Sequence, residues 1–345
     1  MNLTVLLGGT SSERDVSLAS GLRIAHALRE AGHRVTCVDP AYGELARADE
    51  DAMRAAGVVK SAPPTRKELQ AMIESSRLAT LGAMPAVRDA DVVFIALHGG
   101  EGEDGTVQAI LDLYGVRYTG SGHLASALAM DKDLSKRLFR SAGVPTADWL
   151  MTGPREELSE TMVEQTLGLP VVVKPSKEGS TVGLSVVKEL GQLRAAIAEA
   201  ALYDNEVMIE RFVPGRELTV GVVGDHAMPV GEIIPKHEIY DYECKYTPGM
   251  AVEEFPAKLT PAQTAEAQRL AILAFRALKL DGCARIDFRM TAAGELFCLE
   301  ANTSPGMTGT SLIPQAAAAE GMDFSSFCDR IVALAKSTRR GGGGK

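Results

Sequence analysis

The sequence lacks any apolar run long enough to cross a membrane as a helix, which requires about 20 residues. Residues 1–7 (MNLTVLL) form a short apolar run without a basic leader, so we expect a first β-strand there rather than a signal peptide. The five cysteines are odd in number and scattered, without the spacing of a metal site. Such a pattern is typical of reduced thiols, and we therefore expect a cytoplasmic protein without a membrane partner.

Clustered positive charge is also missing. The chain has 36 Lys and Arg against 45 Asp and Glu, and no basic stripe is interleaved with aromatic residues. These features disfavour a nucleic-acid partner. An apolar content of 46% is typical of a globular protein, and 345 residues are enough for two or three domains. The glycine-rich end, residues 338–345, is expected to be a disordered tail.

Strands and helices alternate in residues 1–120. Three strands and two amphipathic helices are predicted there, at Leu3–Leu7, Arg34–Val38, Val92–Leu97, about Val16–Glu30 and Gly105–Leu113. The alternation predicts an α/β domain with a mostly parallel sheet. Residues 41–90 are less regular, and we interpret them as an insertion on this domain.

Two further units are expected at residues 121–210 and 211–337. The first has predicted strands at Val171–Lys174, Leu184–Val187 and Glu206–Glu210, with helices at 132–141 and 190–202. The second has predicted strands at Leu218–Val223, Cys283–Met290 and Glu295–Glu300, with a helix at Pro261–Leu278. The fold class expected for the whole chain is therefore α/β with α+β parts.

Two extended segments near the end of the chain carry the residue types of a magnesium site. Asp287 lies on the first, Glu300 and Asn302 lie on the second, and Arg285 adds a positive charge. Mg²⁺ takes oxygen ligands, commonly one or two carboxylates with phosphate oxygens of a substrate. Each residue alone is compatible with an ordinary strand end, whereas the set predicts a metal–nucleotide site.

A loop of small residues, 175–183 (PSKEGSTVG), follows Lys174 between two predicted strands. Successive N–H groups in such a loop bind phosphate oxygens, and Lys174 adds a point charge. The loop does not match the Walker A pattern, because no Gly-Lys-Ser/Thr opens a helix. A glycine-rich hairpin turn is equally compatible with the loop alone. The metal-type residues downstream favour the phosphate interpretation.

A nucleotide also needs an apolar slot for its base and an acceptor for its ribose hydroxyls. Met208, Phe212 and Val213 are candidates for the slot, and Glu217 is a candidate acceptor. For Glu210 and Glu217, a solvated side chain at a strand end is the structural alternative.

The two strand-to-helix junctions of the first domain carry further polar residues. Glu13 is a candidate partner for a substrate ammonium group, since open α/β sheets bind ligands at such junctions. Its structural alternative is a place in the first helical turn after an N-cap at Ser11 or Ser12. His98 is a candidate donor to a substrate carboxylate, although a histidine at a strand end is more often a satisfied structural residue.

Residues 240–249 (YDYECKYTPG) place three tyrosines among charged residues in a loop that ends in Pro-Gly. We predict a lid there, with an ordinary surface loop as the alternative.

Together these segments resemble the ATP-grasp superfamily and, within it, the D-alanine–D-alanine ligases, over about residues 2–335 apart from the insertion. The resemblance rests on segments in the family's order, namely GGTSSERDVSL at 8–18, ALHGGEGEDG at 96–105, MDK at 130–132, KPSKEGSTVG at 174–183, YDYECKY at 240–246, RID at 285–287 and EANTSPGM at 300–307.

The resemblance implies a three-domain ATP-grasp architecture, with an N-terminal parallel-sheet domain and ATP between the other two domains. It implies an enzyme that uses ATP and two Mg²⁺ ions, or Mn²⁺, to join two D-alanines through a D-alanyl phosphate for peptidoglycan synthesis. A homodimer is also implied. The alternatives are an ATP-grasp ligase for other amino acids or for a D-hydroxy acid, and a nucleotide-binding homologue without turnover.

The resemblance further implies roles for individual residues. The implied metal ligands are Asp287, Glu300 and Asn302. The implied ATP contacts are Lys132 and Lys174 at the phosphates, Glu210 and Val213 at the adenine, Glu217 at the ribose and Lys245 at the transferred phosphate. The implied substrate contacts are Glu13 and His98 for the first D-alanine, and Ser311 and Leu312 for the second. The resemblance implies an oxyanion site formed by Arg285 and the Gly306 N–H. It also implies that Glu13, Ser180 and Tyr246 form a hydrogen-bonded trio that closes the lid. The Lys245-Tyr246 pair resembles ligases that form dipeptides rather than D-lactate depsipeptides.

Overall fold

The computed structural model describes residues 1–58, 65–154, 156, 158–179, 181–237 and 249–337. Within these residues the strands form three sheets, and helices pack against each of them. The predicted fold class, α/β with α+β parts and a mostly parallel sheet in the N-terminal domain, is confirmed. No helix in the described part of the chain is both long and apolar enough to cross a membrane.

The first sheet has the strand order β3-β2-β1-β4, and β1 is parallel to both β2 and β4. Its elements are β1 (Asn2–Leu6), α1 (Arg14–Glu30), β2 (Arg34–Asp39), β3 (Gly43–Glu44), α2 (Arg47–Ala56), α3 (Arg66–Ser75), α4 (Pro85–Arg88), β4 (Val92–Ile95) and α5 (Thr106–Leu113). Residues 41–90 supply β3 and the fully buried side chains of Leu81 and Val87. This segment is therefore part of the core of the first sheet.

The second sheet is antiparallel and has the order β5-β8-β6-β7. Its segment contains α6 (His123–Met130), α7 (Lys132–Ser141), β5 (Trp149–Thr152), α8 (Glu160–Leu167), β6 (Val171–Pro175), β7 (Ser185–Val187), α9 (Leu193–Ala200) and β8 (Val207–Arg211). Asp131 caps α7 by accepting a hydrogen bond from the Leu134 N–H at 3.0 Å. The helix therefore begins at Lys132, and Lys132 and Lys136 lie on the same face, one turn apart.

The third sheet has the order β12-β11-β9-β13-β14, and β10 pairs with β9. Its segment contains β9 (Arg216–Val223), β10 (His226–Ala227), β11 (Gly231–Pro235), β12 (Ala251–Glu254), α10 (Pro261–Ala277), β13 (Cys283–Met290), β14 (Leu296–Asn302), α11 (Leu312–Ala319) and α12 (Phe324–Ser337). The described pairings in this sheet are antiparallel.

Chain order and packing order differ at two places. Ala125 of α6 and Phe139 of α7 are buried in the core of the third sheet, although these helices precede the second sheet in sequence. Phe327 and Ile331 of α12, near the end of the chain, share a core with Leu3 of β1. The first and third sheets are thus joined by helices, and the loops at their edges are brought together.

Candidate active site

Four polar side chains share one face of the β13–β14 ribbon. In the antiparallel register Arg285 lies opposite Asn302, and Asp287 lies opposite Glu300. Because side chains alternate between faces along a strand, positions two residues apart on each strand point to the same side. The local sequence therefore determines that the predicted metal ligands and Arg285 lie close together.

Asp287 is only 7% exposed and accepts hydrogen bonds from several side chains. Its carboxylate accepts hydrogen bonds from Arg285 Nε at 2.9 Å, from Thr219 Oγ1 at 2.7 Å and from Asn302 Nδ2 at 3.0 Å. Lys132 Nζ lies 3.5 Å from Glu300 Oε2. Positively charged groups therefore approach both carboxylates of the sheet face.

This donor set fits a magnesium ion. It offers two carboxylates and a carboxamide, which are oxygen ligands of the hard type, and the carboxylates already attract cationic groups. A group of three His, Cys, Asp or Glu side chains suited to a metal does not occur within the described ranges. Any ion bound here would thus take its remaining ligands from phosphate oxygens or water.

Three lysines approach the same region from the second sheet and from α7. Lys132 Nζ donates to the Glu178 carbonyl at 2.6 Å, and Lys174 Nζ lies 2.6 Å from Glu210 Oε2. Lys136 contacts the other oxygen of Glu210. Burial opposes ionisation of Glu210, but Lys136 and Lys174 outweigh it and lower the pKa of the carboxyl to about 2. The cluster therefore holds one carboxylate between two ammonium groups.

The predicted base slot is organised by an arginine of β13. Arg289 Nε donates to the Val213 carbonyl at 3.1 Å, and its Nη1 lies 3.3 Å from Glu217 Oε2. The guanidinium carbon is 5.7 Å from the centroid of the Phe212 ring. Arg289 lies two residues after Asp287 on the same strand, so it links the slot to the metal-type residues.

These groups line a large cleft between the second and third sheets, which encloses about 1020 Å³ with open solvent included. Ligand pockets are typically about 300–1,000 Å³. The walls of the large cleft include every predicted ATP and metal residue that the structure describes except Asn302 and Met208, namely Lys132, Lys174, Glu210, Phe212, Val213, Glu217, Asp287 and Glu300. Met208, a candidate for the base slot, is fully buried and does not line the cleft. The predicted ATP contact at Lys245 lies outside the described residues.

A small cleft adjoins the large one, and it collects the predicted substrate residues. Its walls include Glu13, His98, Asn302, Gly306, Ser311 and Leu312. Arg285 and Gly179 line both clefts. The two predicted halves of the site therefore meet at the loop that follows Lys174 and at the β13–β14 face. Ser180 and Tyr246, the predicted partners of Glu13, lie outside the described residues.

Glu13 is the N-cap residue of α1, but its side chain makes no capping hydrogen bond. The expectation of an N-cap at Ser11 or Ser12 is therefore wrong. Ser11 Oγ instead accepts the Glu13 N–H at 3.2 Å and donates to the His98 carbonyl, which ties the two strand-to-helix junctions together. Gly99 has φ +68°, a backbone conformation that favours glycine, and a Cβ there would also approach Glu13 Oε2 to 2.9 Å.

His98 is 5% exposed, and both of its ring nitrogens have partners. Nδ1 lies 2.8 Å from the Ser304 carbonyl, and Nε2 lies 3.0 Å from Ser20 Oγ. Burial disfavours the charged imidazole, but Glu103 and Glu13 outweigh it, and the pKa of His98 is raised. His98 thus links the first sheet to the loop after β14, at the wall of the small cleft.

Gly306 and Ser311 face each other across that loop. A Cβ on Gly306 would lie 2.7 Å from Ser311 Oγ, so no larger residue fits without displacing the hydroxyl. Ser311 Oγ accepts the Thr308 N–H at 2.9 Å, and Leu312 is the first residue of α11. The predicted contacts for a second substrate are therefore adjacent to the predicted oxyanion site.

Two family sequence models match this chain. The model described as D-ala D-ala ligase N-terminus matches residues 2–121, and the model described as D-ala D-ala ligase C-terminus matches residues 138–333. The chain belongs to the D-alanine–D-alanine ligase family. The family assigned from the sequence segments is thus confirmed.

Curated members of the ligase family are similar over nearly the whole chain. The D-alanine--D-alanine ligase of Syntrophobacter fumaroxidans is 42% identical over 340 residues, which cover 97% of each chain. That of Aquifex aeolicus is 40% identical over 332 residues, which cover 96% of this chain and 100% of the relative. These matches extend through the segment 41–90, which the sequence interpretation left unmatched.

Solved ligase structures share the fold. A crystal structure of D-alanine--D-alanine ligase from Bacillus anthracis has a TM-score of 0.75 and 29% identity, and covers 97% of each chain. A second structure of that protein, complexed with ATP, has a TM-score of 0.73 and 27% identity, and covers 96% of each chain. The ATP-grasp architecture implied by the resemblance is confirmed.

Several residues of this ligase-family site were missed from the sequence. Lys136, Arg289, Thr219 and Ser20 contact predicted site residues, yet none of them was singled out. For Arg289 a signal was present, because it continues the two-residue spacing of Arg285 and Asp287 along β13. Lys136 could have been suspected because it lies one helical turn after Lys132, a predicted phosphate contact. Most lysines at such helical positions are solvated, however, so the spacing alone does not indicate a site residue.

Proposed function

We propose that the protein joins two D-alanine molecules with ATP and releases D-alanyl-D-alanine, ADP and phosphate. The observation that carries the proposal is that Arg285 and Gly179 line both clefts. A nucleotide in the large cleft and an amino acid in the small cleft would meet there. Membership of the ligase family and a solved relative complexed with ATP support the use of these two substrates.

In the proposed first step, ATP phosphorylates the carboxylate of the first D-alanine and leaves as ADP. Phosphoryl transfer depends chiefly on positioning and charge neutralisation, which Lys132 and Lys174 supply at the phosphates. The base would pack by Phe212 and Val213, and Glu217 would accept from the ribose. Glu13, which lines the small cleft, would hold the substrate ammonium group.

Two Mg²⁺ ions are proposed as the cofactor, held by Asp287, Glu300 and Asn302. When bound they would neutralise charge on the terminal phosphates. Arg285 would remain at the same sheet face, close to the carboxyl group of the first D-alanine.

In the proposed second step, the neutral amine of the second D-alanine attacks the acyl phosphate. The carboxylate of this amino acid would lie at Ser311 and the backbone of Leu312. Arg285 and the Gly306 N–H would stabilise the tetrahedral oxyanion, and phosphate leaves as the peptide bond forms. Closure by the loop that contains Lys245 and Tyr246 would exclude water from the acyl phosphate.

The deciding experiment is ADP release by the purified protein with ATP and Mg²⁺, measured with and without D-alanine. We expect release to depend on D-alanine and to produce the dipeptide. D-lactate in place of the second amino acid should give little product at neutral pH. The proposal would be contradicted if the rate of ADP release did not depend on D-alanine, or if D-lactate were clearly preferred to D-alanine as the second substrate.

We also propose that the protein is a homodimer that works in the cytoplasm, where ATP is supplied. Sedimentation at micromolar concentration tests the first statement, and a monomer there would contradict it. Fractionation of cells that express the tagged chain tests the second.

A further inference from the structure

Lys136 is a lysine whose side chain is 0% exposed, and it does not line either cleft. Its ammonium group contacts Glu210 Oε1 and donates to Thr146 Oγ1 at 2.6 Å. The same nitrogen lies 5.0 Å from the centroid of the Trp149 ring. Burial lowers the pKa of Lys136, and the contact with Glu210 is the main influence that opposes this, so the ammonium form of Lys136 depends on that carboxylate. Lys136 is therefore held in one position.

Glu210 divides its two oxygens between lysines in different surroundings. Oε1 contacts Lys136 in the interior, and Oε2 lies 2.6 Å from Lys174 Nζ. The side chain of Lys174 is 11% exposed and lines the large cleft, whereas that of Glu210 is 4% exposed. Lys174 is the lysine that a ligand in the cleft can reach.

The net charge of Lys136, Lys174 and Glu210 together determines whether Lys174 can turn toward a negatively charged ligand. Two ammonium groups and one carboxylate leave a net charge of +1 in the cluster. Without Lys136, the carboxylate of Glu210 and the ammonium group of Lys174 would form a neutral pair. Moving Lys174 toward a phosphate would then leave a buried carboxylate without a counterion, which is strongly unfavourable.

We propose that Lys136 is a positioning residue for ATP: it is the permanent counterion of Glu210, and it thereby leaves the charge of Lys174 available to the nucleotide phosphates. This inference rests on the proposed function, because it requires ATP in the large cleft. It differs from a packing role, since Lys136 acts here only through the charge of Glu210.

The test is a direct titration of the full-length protein with ATP and Mg²⁺ in the absence of D-alanine. The variants are Lys136→Met, Glu210→Gln and the double variant, with Lys258→Met as a matched control at an exposed lysine. We expect Lys136→Met to weaken ATP binding at least tenfold and to leave the KM for D-alanine within about twofold. The double variant should bind ATP more tightly than Lys136→Met does, because the unpaired carboxylate is gone.

If Lys136→Met alone does not fold, the ATP affinities of Glu210→Gln and of the double variant still test the inference. Once Glu210 is neutral, removal of Lys136 should change ATP affinity by less than about twofold. A further tenfold loss in the double variant, or wild-type affinity in Lys136→Met, would overturn the inference alone. A wild-type protein without ATP affinity would overturn the proposed function as well.

Discussion

Arg285 and Asp287 lie two residues apart on β13 and form a two-point ion pair, with Nε–Oδ1 at 2.9 Å and Nη2–Oδ2 at 2.8 Å. Such paired contacts fix the plane of the guanidinium as well as its position. The arginine proposed to meet the oxyanion is thus oriented by the carboxylate proposed to bind the metal. One strand, β13, therefore carries both a residue proposed for the phosphorylation step (Asp287) and a residue proposed for the peptide-bond step (Arg285).

Replacement of Arg285 with Ala should lower kcat by about 10²–10³-fold, or roughly 3–4 kcal/mol of barrier, because one oxyanion donor is lost. Turnover of D-alanine to dipeptide under saturating substrates is the measurement. Arg88→Ala is the control, since that arginine is exposed and pairs with its neighbour Asp89. Near wild-type turnover in Arg285→Ala would rule out the oxyanion role.

Replacement of Asp287 with Asn should raise the Mg²⁺ concentration for half-maximal activity by about tenfold or more, since a charged ligand is lost. The increase in Tm produced by ATP with Mg²⁺ should also shrink, which is a readout independent of turnover. Asp89→Asn, at an exposed carboxylate away from the clefts, is the control. An unchanged Mg²⁺ requirement would show that Asp287 is not a ligand.

Protonation of Glu210 should make the free energy of unfolding depend on pH. Its pKa in the folded protein, about 2, lies below the ordinary value of 4.5, so its stabilising effect is complete above pH 4.5 and is lost as pH falls toward 2. We expect Glu210→Gln to be less stable than the wild type at pH 7. The difference in the free energy of unfolding should narrow by about 2 kcal/mol between pH 6 and pH 3.

Urea unfolding across this pH range measures that difference. Glu199→Gln, in an exposed position on α9, is a suitable control and should show no such narrowing. A stability difference that is constant with pH would mean that Glu210 is not held as a carboxylate by its two lysines.

Arg23 of α1 should support the loop that carries Gly306 and Ser311. Its Nη1 donates to the carbonyls of Met307 at 2.9 Å and Thr308 at 2.6 Å, and its guanidinium carbon lies 3.6 Å from the centroid of the Phe324 ring. We expect Arg23→Met to lower the free energy of unfolding by about 2 kcal/mol.

The same variant should raise the KM for D-alanine while the KM for ATP stays unchanged, because the loop lines the small cleft and not the large one. Arg269→Met is a control, since that arginine is exposed on α10. A rise in both KM values would indicate a general loss of structure rather than a local one.

Local patterns predicted much of the fold. The strands β1, β2, β6, β8, β9, β13 and β14 were predicted to within about two residues at each end, and α7 was predicted with the bounds that it has. The helices α6, α8, α11 and α12 and the strands β5, β11 and β12 are among the elements that were not predicted. Most of them are short, and short elements depend on tertiary packing more than on propensity. The N-cap of α1 was misplaced since Ser11 bonds to His98, a contact across the sheet that no local rule contains.

By itself, the sequence determined which residues share the metal-type face, because side chains alternate along β13 and β14 whatever surrounds them. Only the tertiary structure decided that Lys136 reaches Glu210, 74 positions away, and that Arg285 and Gly179 stand where the two clefts meet. Covalent geometry sets the first kind of relationship. The second kind depends on how helices from one part of the chain pack against sheets from another, and that packing is settled by the burial of apolar surface throughout the molecule.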